Sequence, residues 1–95
     1  MYDLGIKPEV DKIFKKLANK NPNQLRIINK KLLSIREHPQ HEYKFLRKPF
    51  QTFNRVHIDK HFVLIFKINH KDKVVDVYYY DHHDKVYQWR DSENS

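Results

Sequence analysis

The pattern of apolar and polar residues between positions 53 and 80 predicts three consecutive β-strands. The first, Phe53–Ile58, alternates between apolar and polar residues, as a strand covered on one face does. The second, Phe62–Ile68, is apolar at nearly every position, which is typical of a central strand covered on both faces. The third, Lys73–Tyr80, is rich in β-branched and aromatic residues, and the polar segment Asn69–Asp72 before it predicts a hairpin turn.

The N-terminal half has the spacing of two amphipathic helices. Apolar residues from Val10 onward recur at i, i+3, i+4, i+7 and i+8, and Pro8 suits the first turn of this helix. Asn21 and Pro22 predict the N-cap and first position of a second helix, which Pro39 ends. The short linker between the helices predicts an antiparallel helix hairpin.

These elements predict an α+β fold in which the helix hairpin packs on one face of a mostly antiparallel sheet. Tyr2–Ile6 alternates as well and is a candidate for an additional strand at the start. If Val56 and Ile58 face the helices, Arg55 and His57 lie on the opposite, open face of the sheet. Any chemistry that the sheet performs is therefore expected on that face.

Composition limits the class of protein. The 95 residues predict a single domain, 1–95, in which residues 88–95, apart from Trp89, are expected to be a frayed tail. Cysteine is absent, no apolar run reaches the roughly 20 residues that span a bilayer, and no signal-peptide pattern is present, so a cytoplasmic location without membrane contact is expected. The net charge of +7 favours a polyanionic partner such as nucleic acid, although lysines that only solvate the surface would give the same count.

The most one-sided charge lies just before the first predicted strand. The segment Tyr43–Phe50 carries Lys44, Arg47 and Lys48, and no acidic residue occurs between positions 42 and 59. This segment adjoins the predicted open face. Together with Arg55, these side chains are candidates for RNA binding.

The chain contains seven histidines: His38, His41, His57, His61, His70, His82 and His83. A shared metal ion is not expected at His57 and His61, because four residues of a strand span about 13 Å. The run from Asp81 to Asp84 is rich in ligand atoms, but neighbouring side chains are expected to diverge. We therefore predict neither a metal site nor a cofactor.

The same histidines suit the cleavage of RNA by its own 2′-hydroxyl. That reaction needs a base, cations that hold the phosphorane charge and an acid for the leaving oxygen, and imidazole serves as base or acid near neutral pH. His57 shares a strand face with Arg55, and we expect His83 and Tyr87, at or after the end of the third strand, to lie near them. Solvated surface histidines and a core tyrosine are the alternative interpretation.

At these residues the chain resembles the RelE/ParE toxin superfamily, and specifically its RelE-type mRNA interferases. The similarity covers about residues 2–87 and includes the order of elements. Its motifs are YKFLRKP at Tyr43–Pro49, HIDKHFVLIFKI at His57–Ile68 and DHHDKVY at Asp81–Tyr87. The second of these is most similar to the YafQ-like branch, where a histidine, an acidic residue and an aromatic residue precede a similar strand.

The resemblance implies particular roles for several residues. His57 and His83 correspond to general acid/base catalysts, Tyr87 to the terminal aromatic residue, and His61 to a position at which the YafQ-like branch has a carboxylate. Val63 stands where many RelE-type toxins have a catalytic arginine, so the resemblance implies a mechanism based on histidine. His82 matches a histidine of the family signature and is expected to be structural. Lys44, Arg47 and Arg55 match basic positions that hold RNA or the ribosome.

The resemblance further implies a ribosome-dependent endoribonuclease that cuts mRNA without a metal ion and is silenced by a cognate antitoxin. A monomer is expected when the protein is free. Two alternatives stay open: a ParE-like inhibitor of DNA gyrase, and an inactive homologue that only binds RNA or an antitoxin. Substitution of His57 or His83 should distinguish them, because neither alternative requires histidine catalysis.

Overall fold

The computed structural model describes residues 1–48 and 51–89. Its elements in chain order are β1 (Asp3–Ile6), α1 (Pro8–Lys20), α2 (Pro22–Glu37), β2 (Asn54–Ile58), β3 (Phe62–Asn69), β4 (Val74–His82) and a short 3-10 helix (Val86–Gln88). The basic segment predicted before β2 therefore lies within the described residues up to Lys48. Its last two residues, and residues 90–95 of the predicted tail, lie outside them.

The four strands form one mixed sheet in the order β1-β4-β3-β2. β1 pairs with β4 in parallel, and the other two pairs are antiparallel. The predicted α+β fold with a mostly antiparallel sheet is therefore confirmed, and β3 is a central strand as its apolar sequence indicated. β4 ends at His82, two residues later than predicted, because Phe62 and Val63 of β3 pair with His82 and Asp81.

Local sequence sets the ends of both helices. Pro8 occupies the first turn of α1, where its missing N–H costs no intrahelical hydrogen bond. Asn21 is the N-cap of α2, and its side-chain oxygen accepts a hydrogen bond from the backbone N–H of Gln24 at 3.2 Å. α2 ends at Glu37, shortly before Pro39. No helix in the described ranges is both long enough and apolar enough to cross a bilayer.

The larger core lies between the helices and the sheet. Its fully buried members come from both helices and three strands, and they include Val10, Ile28, Leu32, Ile35, Ile58, Leu64, Phe66, Val75 and Val77. One polar contact crosses it: the Gln24 side-chain amide donates to the Tyr80 hydroxyl at 2.8 Å. Val56 and Ile58 belong to this side, so the predicted alternation of β2 is confirmed.

The opposite face of the sheet is only partly open. A second core of Leu46, Phe53, Val63, Ile65, Val86 and Trp89 covers its middle. The ring of Trp89 is 5.2 Å from that of Phe53 and stacks on Tyr79 at 5.6 Å. Within the predicted tail, Gln88 ends the 3-10 helix and Trp89 packs in this second core.

The β2–β3 turn and the β3–β4 turn lie at opposite ends of the sheet. In the β3–β4 turn, Asp72 N–H donates to the Asn69 side chain at 3.0 Å, as its polar sequence predicted. Lys73, which follows, takes a positive φ of 57°. The β2–β3 turn spans residues 59–61, because Ile58 pairs with Phe62, and Asp59 adopts the positive φ of 57° that the tight turn needs. His61 ends this turn and so lies at the end of the sheet.

Candidate active site

The basic segment before β2 is tied to the edge of the sheet by its backbone. Arg55 N–H donates to the Lys44 carbonyl at 2.8 Å, and Leu46 N–H donates to the Phe53 carbonyl at 3.0 Å. Phe45 forms a bridge with Asn54 between these two hydrogen bonds. The segment therefore runs antiparallel to β2, and it carries its cations to the face on which Arg55 lies.

Tyr87 joins this basic segment to the C-terminal 3-10 helix. Its hydroxyl accepts a hydrogen bond from the backbone N–H of Arg47 at 3.2 Å. The guanidinium carbon of Arg47 lies 4.3 Å from the centre of the Tyr87 ring, within the range of a cation–π contact. The aromatic body of Tyr87 packs against the second core. Tyr87, Arg47 and Arg55 therefore share one region of the open face.

Electrostatics at Tyr87 favour its ionised form. Partial burial raises the pKa of the Tyr87 hydroxyl, but the hydrogen bonds from Arg47 and the positive charges of Arg47 and Arg55 outweigh it, so the pKa is lowered. Tyr79, on the same face, shows the opposite shift. Burial and a 2.8 Å hydrogen bond to the Asp81 carboxylate raise the pKa of Tyr79 to about 12.

His57 lies on β2 between these cations and the β2–β3 turn. It is exposed, and its side chain makes no hydrogen bond or ion pair with any part of the chain that the structure describes. A strand rises about 3.3 Å per residue, which places His57 about 7 Å beyond Arg55 on the same face. His57 pairs with Val63, and Val63 is a buried member of the second core.

The sequence predicts that His83 lies near His57, but in the structure the two residues are not direct neighbours. β3 lies between β2 and β4, and strands are about 4.8 Å apart, so the two backbones are separated by at least about 10 Å. The strand order is the reason: β4 pairs with β3 and β1 and leaves β2 at the edge. His83 instead lies beside His61, whose carbonyl accepts the His83 N–H at 2.8 Å.

Three histidines meet at the end of the sheet. The rings of His82 and His83 are 4.5 Å apart and inclined by 29°, while His61 lies 5.9 Å from His82 and 6.2 Å from His83. Asp84 supports two of them: its carboxylate lies 3.0 Å from His83 Nδ1 and 3.5 Å from His82 Nδ1, and its N–H donates to His82 Nδ1 at 3.2 Å. We refer to His61, His82 and His83 as the histidine cluster.

The structure thus divides the predicted site residues into two groups, with His57 on β2 between them. Arg47, Arg55 and Tyr87 form a cationic group, and Lys44 and Lys48 are exposed nearby along the chain. His61 and His83 form the second group with His82, which sequence reasoning had set aside as structural. The sequence predicts that the side chains of His82 and His83 diverge, but their rings lie close together. The reason is that β4 ends between them and the chain turns. The register of the β3–β4 hairpin could have predicted that they lie near His61, because the β2–β3 turn, which contains His61, lies beside the end of β4.

No family model matches the chain. An uncharacterised protein of Methanosarcina mazei is 52% identical over 87 residues, which cover 92% of this chain and 100% of that protein. "Putative toxin RelE4" of Methanocaldococcus jannaschii is 44% identical over 88 residues, which cover 93% of each chain.

Solved structures of toxins share the fold. The YoeB–YefM complex from Staphylococcus aureus matches with a TM-score of 0.73 at 15% identity, covering 87% of this chain and 98% of that chain. The isolated RelE toxin of E. coli matches with a TM-score of 0.70 at 20% identity, covering 93% of each chain. The RelBE2 toxin–antitoxin complex from Mycobacterium tuberculosis matches with a TM-score of 0.70 at 17% identity, covering 86% of this chain and 98% of that chain.

Proposed function

Because this chain belongs to the RelE family of the RelE/ParE toxin superfamily, we propose that it is the toxin of a type II toxin–antitoxin system and cleaves mRNA on the ribosome. The reaction is attack of the RNA 2′-oxygen on the adjacent phosphorus. A 2′-O–P bond forms, the P–O5′ bond breaks, and the products carry a 2′,3′-cyclic phosphate and a 5′-hydroxyl. The membership in the YafQ-like branch stays a prediction.

One observation carries the proposal: His57 lies on the open face between a cationic group and the end of the sheet that bears His83. Arg47 and Arg55 are suited to hold the charge that develops on the phosphorane oxygens. In this proposal the phosphodiester binds across β3, between His57 on β2 and His83, which directly follows β4. One removes the 2′-proton and the other protonates the 5′-oxygen.

Tyr87 and His61 support this arrangement. Tyr87 keeps the Arg47 guanidinium against its ring and offers a hydroxyl of lowered pKa to the phosphate or to the 2′-oxygen. His61 orients His83, because its carbonyl accepts the His83 backbone N–H. Lys44 and Lys48 add positive charge for RNA on the approach to the site.

Primer extension on mRNA from induced cells tests the proposal. We expect new cuts at in-frame codon positions for the wild type, and a loss of cutting by at least about a hundredfold for His57→Ala and His83→Ala. His70→Ala is the matched control, because His70 lies at the opposite end of the sheet and contacts Tyr2. It should cut like the wild type.

Other outcomes would point elsewhere. Growth arrest without cuts would indicate another target such as DNA gyrase. Normal growth without cuts would favour a homologue that only binds RNA or an antitoxin, and one observation already favours this second candidate: Val63, at the position of the family arginine, is 3% exposed within the second core.

The proposed partner is an acidic segment of a cognate antitoxin. β2 is an edge strand, and a groove of about 620 Å³ runs beside it. Lys31, Lys44 and Arg55 line this groove together with three histidines, and Glu42 is its acidic residue. Affinity between the purified toxin and its antitoxin should fall as salt rises, and Lys31→Glu should weaken binding without loss of fold.

A further inference from the structure

The histidine cluster brings together three ligand atoms suited to a metal ion. One ring nitrogen from each of His61, His82 and His83 lies within 4.8 Å of the other two. A tetrahedral zinc ion with Zn–N distances of about 2.0–2.1 Å holds its nitrogens about 3.3–3.4 Å apart. The rings therefore need to close by about 1.5 Å at most, and the His82 and His83 side chains are 35% and 44% exposed, so the packed core does not enclose them.

The backbone under the cluster is already in place. Phe62, the first residue of β3, pairs with His82, the last residue of β4, and the His83 N–H donates to the His61 carbonyl at 2.8 Å. His61 is the last residue of the β2–β3 turn, in which Asp59 takes a positive φ. The backbones therefore need not move to form a site with three ligands, and ordering three imidazoles is less costly when their backbones are held.

Asp84 provides the support that histidine ligands commonly have. A carboxylate that accepts the N–H of one ring nitrogen leaves the lone pair of the other nitrogen free for a metal ion. The Asp84 carboxylate lies 3.0 Å from His83 Nδ1 in a position to accept its proton. His82 Nδ1 now accepts the Asp84 N–H, and the same carboxylate lies 3.5 Å away to receive a proton there when Nε2 binds a metal.

From these contacts we propose that His61, His82 and His83 form a binding site for a late first-row divalent transition metal, with zinc as its representative. Neutral imidazole suits Zn²⁺, Ni²⁺ and Cu²⁺, whereas Mg²⁺ and Ca²⁺ prefer oxygen ligands. With three protein ligands, the fourth position is left for water. The site binds a metal whether or not the protein cuts RNA.

A consequence for activity rests on the proposed function. A metal ion on the imidazole of His83 occupies the lone pair that would exchange a proton with RNA. Zinc therefore acts as a reversible inhibitor of cleavage, and removal of zinc by a chelator restores it. His82 is a ligand of the metal but has no assigned part in the cleavage reaction, so it separates the two properties.

Isothermal titration of the full chain without an affinity tag tests the site. We expect one Zn²⁺ or Ni²⁺ per chain and no binding of Mg²⁺. His61→Ala, His82→Ala and His83→Ala should each weaken zinc binding by more than about a hundredfold, and Asp84→Asn by about tenfold. His70→Ala and the double variant of His38 and His41 should bind like the wild type.

Circular dichroism of each variant, and glutamine in place of alanine where a variant is unstable, ensures that lost binding reflects a lost ligand. Equal zinc affinity in the wild type and in folded His61→Ala or His82→Ala protein would overturn the site. So would a loss of binding in the control variants of His38, His41 or His70.

A cleavage assay on translated mRNA then separates the site from the function. Zinc should inhibit the wild type, and His82→Ala should cut RNA in its presence. Zinc binding without any RNA cleavage by the wild type would support the site and contradict the proposed function. Cleavage that zinc leaves unchanged, in protein shown to be loaded with zinc, would overturn the inhibitory consequence.

Discussion

The two faces of the sheet differ in their roles: one packs against the helices, and the other carries candidate site residues. The face under the helices is apolar, and its buried polar contact is fully internal, between Gln24 and Tyr80. The opposite face has a smaller core, around which lie Arg47, Arg55 and His57. The proposed RNA site needs exposed cations and imidazoles, and these cost folding energy if buried. The helices therefore allow the second face to stay polar.

The largest expected effects on stability come from phenylalanine-to-alanine substitutions, one on each face of the sheet. Phe66 and Phe53 are both almost fully buried, one on each face. We expect Phe66→Ala to lower the free energy of unfolding by about 4 kcal/mol and Phe53→Ala by about 3 kcal/mol. The helices that cover Phe66 resist movement into the cavity left by Phe66→Ala, whereas the C-terminal segment over Phe53 can move into the cavity left by Phe53→Ala. Urea unfolding measures both.

Phe45→Ala is the matched control, because Phe45 is 58% exposed and its loss should change stability by less than about 0.5 kcal/mol. A larger cost for Phe53→Ala than for Phe66→Ala would mean that the second core, and not the helix-covered one, dominates stability.

Tyr80→Phe should have an intermediate effect. It removes the acceptor of the Gln24 side-chain amide, and Gln24 is only 6% exposed, so a buried donor loses its partner. The expected cost is about 1–3 kcal/mol by thermal or urea unfolding. The double variant Gln24→Leu with Tyr80→Phe should recover part of this loss, because no polar group is then left unpaired. A double variant less stable than Tyr80→Phe would show that the unpaired Gln24 side-chain amide does not destabilise the fold.

The smallest effect, confined to the open face, is the titration of two tyrosines. The folded pKa of Tyr79 is raised to about 12, so its contribution to stability is present below pH 10 and is lost as pH rises through the folded pKa. The folded pKa of Tyr87 is lowered, so ionisation of Tyr87 adds stability as pH rises through it. The two tyrosines thus oppose each other.

Ultraviolet absorbance of tyrosinate measures this difference. Tyr87→Phe should remove the earliest step of the alkaline titration and Tyr79→Phe the latest. Arg47→Met should move the Tyr87 step to higher pH, because it removes the charge that favours tyrosinate. An unchanged first step in Tyr87→Phe would show that the cations of Arg47 and Arg55 do not act on Tyr87.

The sequence by itself determined the elements and which side of β2 faces the helices. Apolar spacing and the Asn21–Pro22 cap act within a few residues, and the alternation of Val56 and Ile58 with Arg55 and His57 is a property of one strand. The basic residues before β2 and the candidate histidines could likewise be read from the chain.

Only the tertiary structure decided which of those residues meet. Strand order depends on pairing between distant segments, and it placed β3 between His57 and His83 while the hairpin register brought His61 to His82 and His83. The second core and the contact of Arg47 with Tyr87 join residues 40 apart in the chain. Local periodicity carries no information on such contacts, because they form only when the whole sheet is assembled.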